Sequence, residues 1–180
     1  MILGLDISTS CTGWSLIDSV DSKLVKMGYV DLSKQKNFLL KADDVKQALI
    51  ALHNEFDIKD IFIEENLQAF RPGFSSAKTL MTLARFNGII SYICNRDLNI
   101  EPQFINVNIA RKRLGLKLDR KSKLNTKEQV FEWVDKRIDV SWPMKILKSG
   151  PRKGLSILSP GCYDMADAYV IASAGFNMIK

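Results

Sequence analysis

Hydrophobic and polar positions alternate along this chain in a pattern that changes period several times. Residues 2–8 (ILGLDIS) are apolar at both parities, as in a strand buried on both faces. Residues 12–18 (TGWSLID) alternate after a Ser/Thr-rich turn, and 24–31 (LVKMGYVD) follow closely. Together they predict three antiparallel strands with tight connections. From about Asn37 to Phe56 the apolar positions Leu39, Leu40, Val45, Leu49, Leu52 and Phe56 suit an amphipathic helix. Residues 60–66 (DIFIEEN) predict a fourth strand, and Arg71-Pro72-Gly73 a loop. Ser75 or Ser76 can cap a helix running to about Asn95. A fifth strand, 103–107 (QFINV), leads into a basic stretch, after which Thr126 can cap a helix to about Arg137. Residues 141–160, with three prolines and two glycines, predict a loop, and a last helix spans about Gly161 to Phe176.

This order predicts an α/β protein: a mixed five-stranded sheet, its three N-terminal strands antiparallel, flanked by helices. At 180 residues the chain is expected to form a single domain over 1–180.

Composition narrows the class. Cys11, Cys94 and Cys162 are too scattered for a disulfide framework or a Cys-x-x-Cys knuckle, which suits a reducing compartment. MILGLDISTS has no basic n-region and reads as a strand instead of a signal peptide, and no uncharged apolar run approaches a membrane span. The expectation is a soluble cytoplasmic protein without membrane attachment. Net charge is +6, yet Arg111, Lys112, Arg113, Lys117, Arg120, Lys121, Lys123 and Lys127 face only Asp119 within 111–127. That window carries +7 and the remainder −1, so the basicity is local, as in a surface that docks phosphates. A solvated charge run is the plainer alternative.

The acids in apolar surroundings are the candidate chemistry. Asp6 interrupts ILGLDI, where a buried carboxylate is costly unless a cation sits nearby. A strand-end aspartate bonded within the Ser/Thr turn is the alternative. Glu64 and Glu65 close the run IFI; at most one shares a face with Asp6, and alternation alone does not choose. Asp164 and Asp167 lie about 60° apart around a helix. Their face continues through Ala168, Ile171, Ala174 and Gly175, so the pair crowns a packed face. Helix N-terminal preference accounts for Asp164 but not for both.

Should these acids converge, repulsion keeps one protonated in the empty site, and two hard divalent cations relieve it. Mg²⁺ is the usual choice, with Mn²⁺ able to substitute, and such a pair hydrolyses phosphodiesters. The lone His53 sits in an amphipathic helix, which excludes a His-rich zinc site. GxxxxGK[ST], GxGxxG and GxSxG are all absent.

The pieces ILGLDIS with TGW, FIEEN, SSAKTLMTLARFNGIIS and YDMADAYVIASA, in this order, resemble the RuvC-like Holliday-junction resolvases, a branch of the RNase H-like superfamily. The resemblance covers most of the chain and implies an RNase H-like fold. It also implies Asp6, Glu64, Asp164 and Asp167 as catalytic ligands of two metal ions; the family's glutamate directly follows the apolar strand residues, which selects Glu64 over Glu65. It further implies a homodimer that nicks opposing strands of four-way DNA symmetrically, leaving 5′-phosphate and 3′-hydroxyl ends. Residues 111–127 match the family's basic region in position. Family members insert an aromatic wedge near 66–76, making Phe70 and Phe74 candidates, although this loop is longer than expected and packing beneath it would explain both.

Three other readings remain. An RNase H or another branch- or flap-cutting nuclease would use the same acids. GLDISTSCTGWSLID is also similar to the first phosphate loop of actin-like ATPases and sugar kinases, which need a second domain and a second glycine-rich segment. A non-catalytic DNA-binding module would have no need of four acids.

Overall fold

The computed structural model describes residues 1–65 and 76–180. Three antiparallel strands, β1 (Ile2–Ile7), β2 (Cys11–Ile17) and β3 (Leu24–Asp31), precede helix α1 (Phe38–Glu55) and strand β4 (Asp60–Glu64). Helix α2 (Ala77–Leu98), strand β5 (Gln103–Ile105), helix α3 (Val107–Arg113) and helix α4 (Thr126–Asp135) follow. A hairpin, β6 (Met144–Ile146) and β7 (Ser156–Leu158), precedes the last helix, α5 (Gly161–Ile179). The main sheet has the order β3-β2-β1-β4-β5, with β4 parallel to both β1 and β5. The expected mixed five-stranded sheet is therefore present.

β1 is central, and its alternation divides the protein into two cores. Leu3, Leu5 and Ile7 pack with Ile61 and Ile63 of β4 against Val45 and Leu49 of α1 and Phe86 and Ile90 of α2. On the opposite face, Ile2 and Phe62 pack with Val130 of α4 and Val170 and Ile171 of α5. Small residues in α5 let it lie very close to the sheet. A Cβ on Gly4 would overlap the Ala168 carbonyl and the Ala172 amide, and one on Gly13 would overlap the Asp164 carbonyl. Those two contacts fix the depth and rotation of α5.

Three local expectations change. Helix α3 stands where the fifth strand was expected to run straight into the basic stretch; Asn106 caps it through the Asn108 amide, a short-range signal inside QFINVN. Helix α4 is capped by Asn125 and not by Thr126, because Asn125 and Glu128 form a reciprocal capping box. Residues 141–160 contain the β6–β7 hairpin, its turn relying on Gly150 and Gly154 at positive φ. Among the described residues no helix is long and apolar enough to cross a membrane.

Candidate active site

Gly4 and Phe62 point towards α5, so Asp6 and Glu64, two residues further along their strands, share that face. The parallel register pairs Gly4 with Phe62 and Leu5 with Ile63, and one further step sets Asp6 beside Glu64. Strand alternation therefore assigns the α5 face to Glu64 and not to Glu65. Asn87 of α2, itself buried, donates to the Glu64 carbonyl at 3.3 Å and holds that strand end. On the antiparallel side Asp6 pairs with Gly13, against which the Asp164 carbonyl lies. Asp167 is one turn further along α5, and only 5% of its surface is exposed. Three elements distant in sequence thus bring the four carboxylates within electrostatic reach of one another.

The cost shows in their proton affinities. Burial pushes the Asp6 carboxyl well above its ordinary range; repulsion from Glu64, Asp167 and Asp164 adds to this, and Lys127 opposes it. Glu64 rises to about 7, by burial first and then by Asp167, against the pull of Arg111 and Lys127. Burial also raises Asp167, although Arg111 and Lys127 pull it down. Asp6, Glu64 and Asp167 thus each hold a proton more tightly than an exposed acid would.

Two cations already answer part of this charge. Lys127 Nζ donates to Asp164 Oδ1 at 2.6 Å, and Arg111 Nη2 stands 3.5 Å from Asp167 Oδ1. The second pair is long, and Asp167 Oδ1 and Arg111 Nε are both buried without a hydrogen-bond partner. Among the described residues no three His, Cys, Asp or Glu side chains already stand close enough to form a finished metal site. Mutual repulsion, with two carboxylates drawn towards Lys127 and Arg111, accounts for an open arrangement. Four carboxylates against two side-chain cations, an all-oxygen donor set and an orphaned Asp167 oxygen together fit hard divalent cations.

The basic segment divides into two parts. Arg111 and Lys127 reach the acids, whereas Lys112, Arg113, Lys117, Arg120, Lys121 and Lys123 are exposed. A cleft of about 700 Å³ opens between α3, the following loop and α4, and Arg111, Lys112, Lys117 and Arg120 line it. Asp119 also lines this cleft, its carboxylate closing a turn onto the Lys121 amide. His53 lies on α1, on the far side of the sheet from α5. Phe70 and Phe74 lie outside the described residues. Sequence reasoning missed the roles of Gly13 and Asn87. The glycine inside an otherwise regular strand was the available signal for a close backbone approach.

No protein-family model and no curated protein matches the sequence. Solved structures do. Thermus thermophilus RuvC in complex with Holliday junction substrate superposes with a TM-score of 0.63 at 14% identity, covering 99% of this chain and 94% of that one. The protein has the RuvC fold. A second Thermus thermophilus RuvC structure gives a TM-score of 0.60 at 16% identity, covering 99% of this chain and 95% of that one. The yeast mitochondrial Holliday junction resolvase Ydc2 gives 0.57 at 16% identity, covering 97% of this chain and 77% of that one. These RuvC-type structures span the sheet and α5 alike, so the likeness includes every element that carries an acid.

Proposed function

We propose that the chain is a divalent-metal-dependent endonuclease that resolves four-way DNA junctions as a homodimer. Asp6, Glu64, Asp164 and Asp167 would hold two Mg²⁺ ions, with Mn²⁺ able to replace them. The observation that carries this reading is the convergence of the four carboxylates from β1, β4 and α5 on one face of a RuvC-type sheet.

When bound, two such cations activate water and stabilise the leaving oxygen of an in-line displacement at phosphorus. The chain supplies the geometry. Asp6 and Glu64 project from hydrogen-bonded central strands, and Asp164 and Asp167 from a helix packed closely against β1 and β2. The water oxygen bonds to phosphorus while the P–O3′ bond breaks, leaving a 5′-phosphate and a 3′-hydroxyl. The exposed cations of 111–123 would hold the flanking phosphates.

The test is strand nicking by the purified protein with Mg²⁺ on a synthetic four-way junction, a linear duplex and an RNA–DNA hybrid. Paired, symmetric nicks in the junction are expected. Preference for the hybrid would make the protein an RNase H, and inertness on all three substrates would remove the nuclease assignment.

A further inference from the structure

The β6–β7 hairpin contributes to neither hydrophobic core. Met144, Ile146 and Leu155 on it are each more than half exposed. Between Asp139 and Asp164 the chain contains no acid, but it carries Lys145, Lys148, Arg152 and Lys153. Lysines alone could guard the open edges of a two-stranded ribbon, yet three exposed large apolar side chains work against such protection. An isolated hairpin is marginal in water, so this one needs its anchorage and gains from a partner.

The anchorage lies beside the acids. Tyr29 Oη and Ser159 Oγ are 2.7 Å apart, and the Ser159 amide donates to the Pro143 carbonyl at 2.9 Å. A Cβ on Gly161, in the first turn of α5, would overlap the Tyr29 ring, and Asp164 is three residues further on. Asp31 is held below the ordinary carboxylate range first by Ser33, with Lys34 and Lys145 contributing. The strand partner of Asp31 is Cys11, at the foot of the turn that follows β1. The hairpin therefore rises on the β3 side of the cluster, whereas Arg111 and the basic cleft approach from the α3–α4 side.

We infer that the β6–β7 hairpin is a second nucleic-acid arm. Lys148, Arg152 and Lys153 at its tip grip the phosphate backbone of a DNA duplex, and Met144 and Ile146 rest on sugar or base surfaces. Charge complementarity selects a polyanion, and a root anchored at Ser159, five residues before Asp164, selects the substrate strand at the cluster. This inference rests on the nuclease reading and adds a surface to it. Basic arms on both sides of one cluster suit a substrate whose helical arms diverge, and a linear duplex would engage them less fully.

The test uses the full chain with Asp6→Asn, so that binding is measured without cleavage, on the four-way junction and a linear duplex over a range of KCl. In one variant Lys148, Arg152 and Lys153 become Ala. In a second, residues 147–155 are replaced by Asn-Gly, which joins the register partners Ile146 and Ser156 through a tight turn. Junction affinity is expected to fall about tenfold or more in both, with the salt slope of the triple variant lower by about 3 units. Duplex affinity is expected to fall less. Mg²⁺-dependent thermal stabilisation, read in chains that retain Asp6, should stay as in the parent. Unchanged junction affinity and slope in folded variants would overturn the arm while leaving the nuclease reading intact. A parent that binds no nucleic acid would overturn both. Hairpin-dependent sedimentation with phosphatidylserine vesicles, combined with unaltered junction binding, would assign the hairpin to a membrane surface and likewise overturn the inference.

Discussion

Gly13 and Asp164 meet backbone to backbone: the Asp164 carbonyl occupies the space a Cβ on Gly13 would fill. Because Gly13 is the strand partner of Asp6, this one contact decides whether the first acid and the helix acids share a site.

Gly13→Ala is therefore expected to push α5 off the sheet, since the atoms in the way are backbone and cannot turn aside. Overpacking of this kind costs about 1–3 kcal/mol. Urea unfolding should show that loss, and nicking should fall further than the loss of folded protein explains. The same substitution at Gly88, which has open space around it, is the control; there a helical Gly→Ala change should stabilise by up to about 1 kcal/mol.

Neutralising an acid of the cluster separates its cost to the fold from its use. Asp6→Asn and Asp167→Asn should each lower the nicking rate about a thousandfold or more. In EDTA at neutral pH, Asp6→Asn should instead stabilise the protein, because a carboxyl raised by burial and three neighbouring acids is removed. Chemical denaturation with and without Mg²⁺ reads both effects, and the Mg²⁺-induced rise in Tm should shrink in the variant. Wild-type activity in both variants would refute the metal assignment.

Much of this arrangement was legible in the sequence, for identifiable reasons. Strong period-2 and period-3.6 patterns fixed β1 to β4, α1 and α5, and the apolar face below Asp164 and Asp167 announced that those acids point inward. Glu64 against Glu65 stayed open on pattern alone, because parity is defined only relative to a neighbouring strand, and it took the β1–β4 register to resolve it. The division of the basic segment was equally hidden. Arg111 and Lys127 look like their neighbours in sequence, and only the fold of α3 and α4 turns them towards Asp167 and Asp164. The hairpin was missed since β6 and β7 have three residues each and lie among the three prolines and two glycines of 141–160, which read as a loop.

The metal-free protein should lose stability as pH rises through the weakly acidic range. Glu64 has an ordinary value of 4.5 and rises to about 7 when folded, so in that window the folded state binds more protons than the unfolded one. Unfolding free energy then falls with pH: the contribution is fully present below the unfolded value and gone above the folded one. For Glu64 alone the span is about 3 kcal/mol at most, and Asp6 and Asp167 act in the same direction. Urea titrations in EDTA from about pH 5 to about pH 8 should show the decline, flattened in Glu64→Gln. Saturating Mg²⁺ should flatten it in wild type as well.

The exposed cations beyond α3 should act on affinity without choosing the substrate. Lys117, Lys121 and Lys123 are exposed on the loop that Gln129 pins through Asp119 and Leu124. Changing all three to Ala should lower the salt slope of DNA binding by about 3 units and weaken junction and duplex alike. Unaltered slope and affinity would show the run to be merely solvated.

Lys127 stands where a cation bound to Asp164 would have to compete with it. Its ammonium loses solvation beside the acids, but the hydrogen bond to Asp164 and the charges of Asp164, Asp6 and Asp167 outweigh that loss and raise its proton affinity. With 55% of the side chain exposed, the pair itself contributes at most about 1 kcal/mol to folding. Lys127→Met is therefore expected to lower the metal-free Tm by no more than about 4 °C, while lowering the Mg²⁺ concentration at half-maximal thermal stabilisation several-fold. A midpoint that stays put or rises would mean that Lys127 supports the metals instead of standing in for one. Because the readout is Mg²⁺ binding without substrate, any separate effect of Lys127 on the scissile phosphate does not enter it.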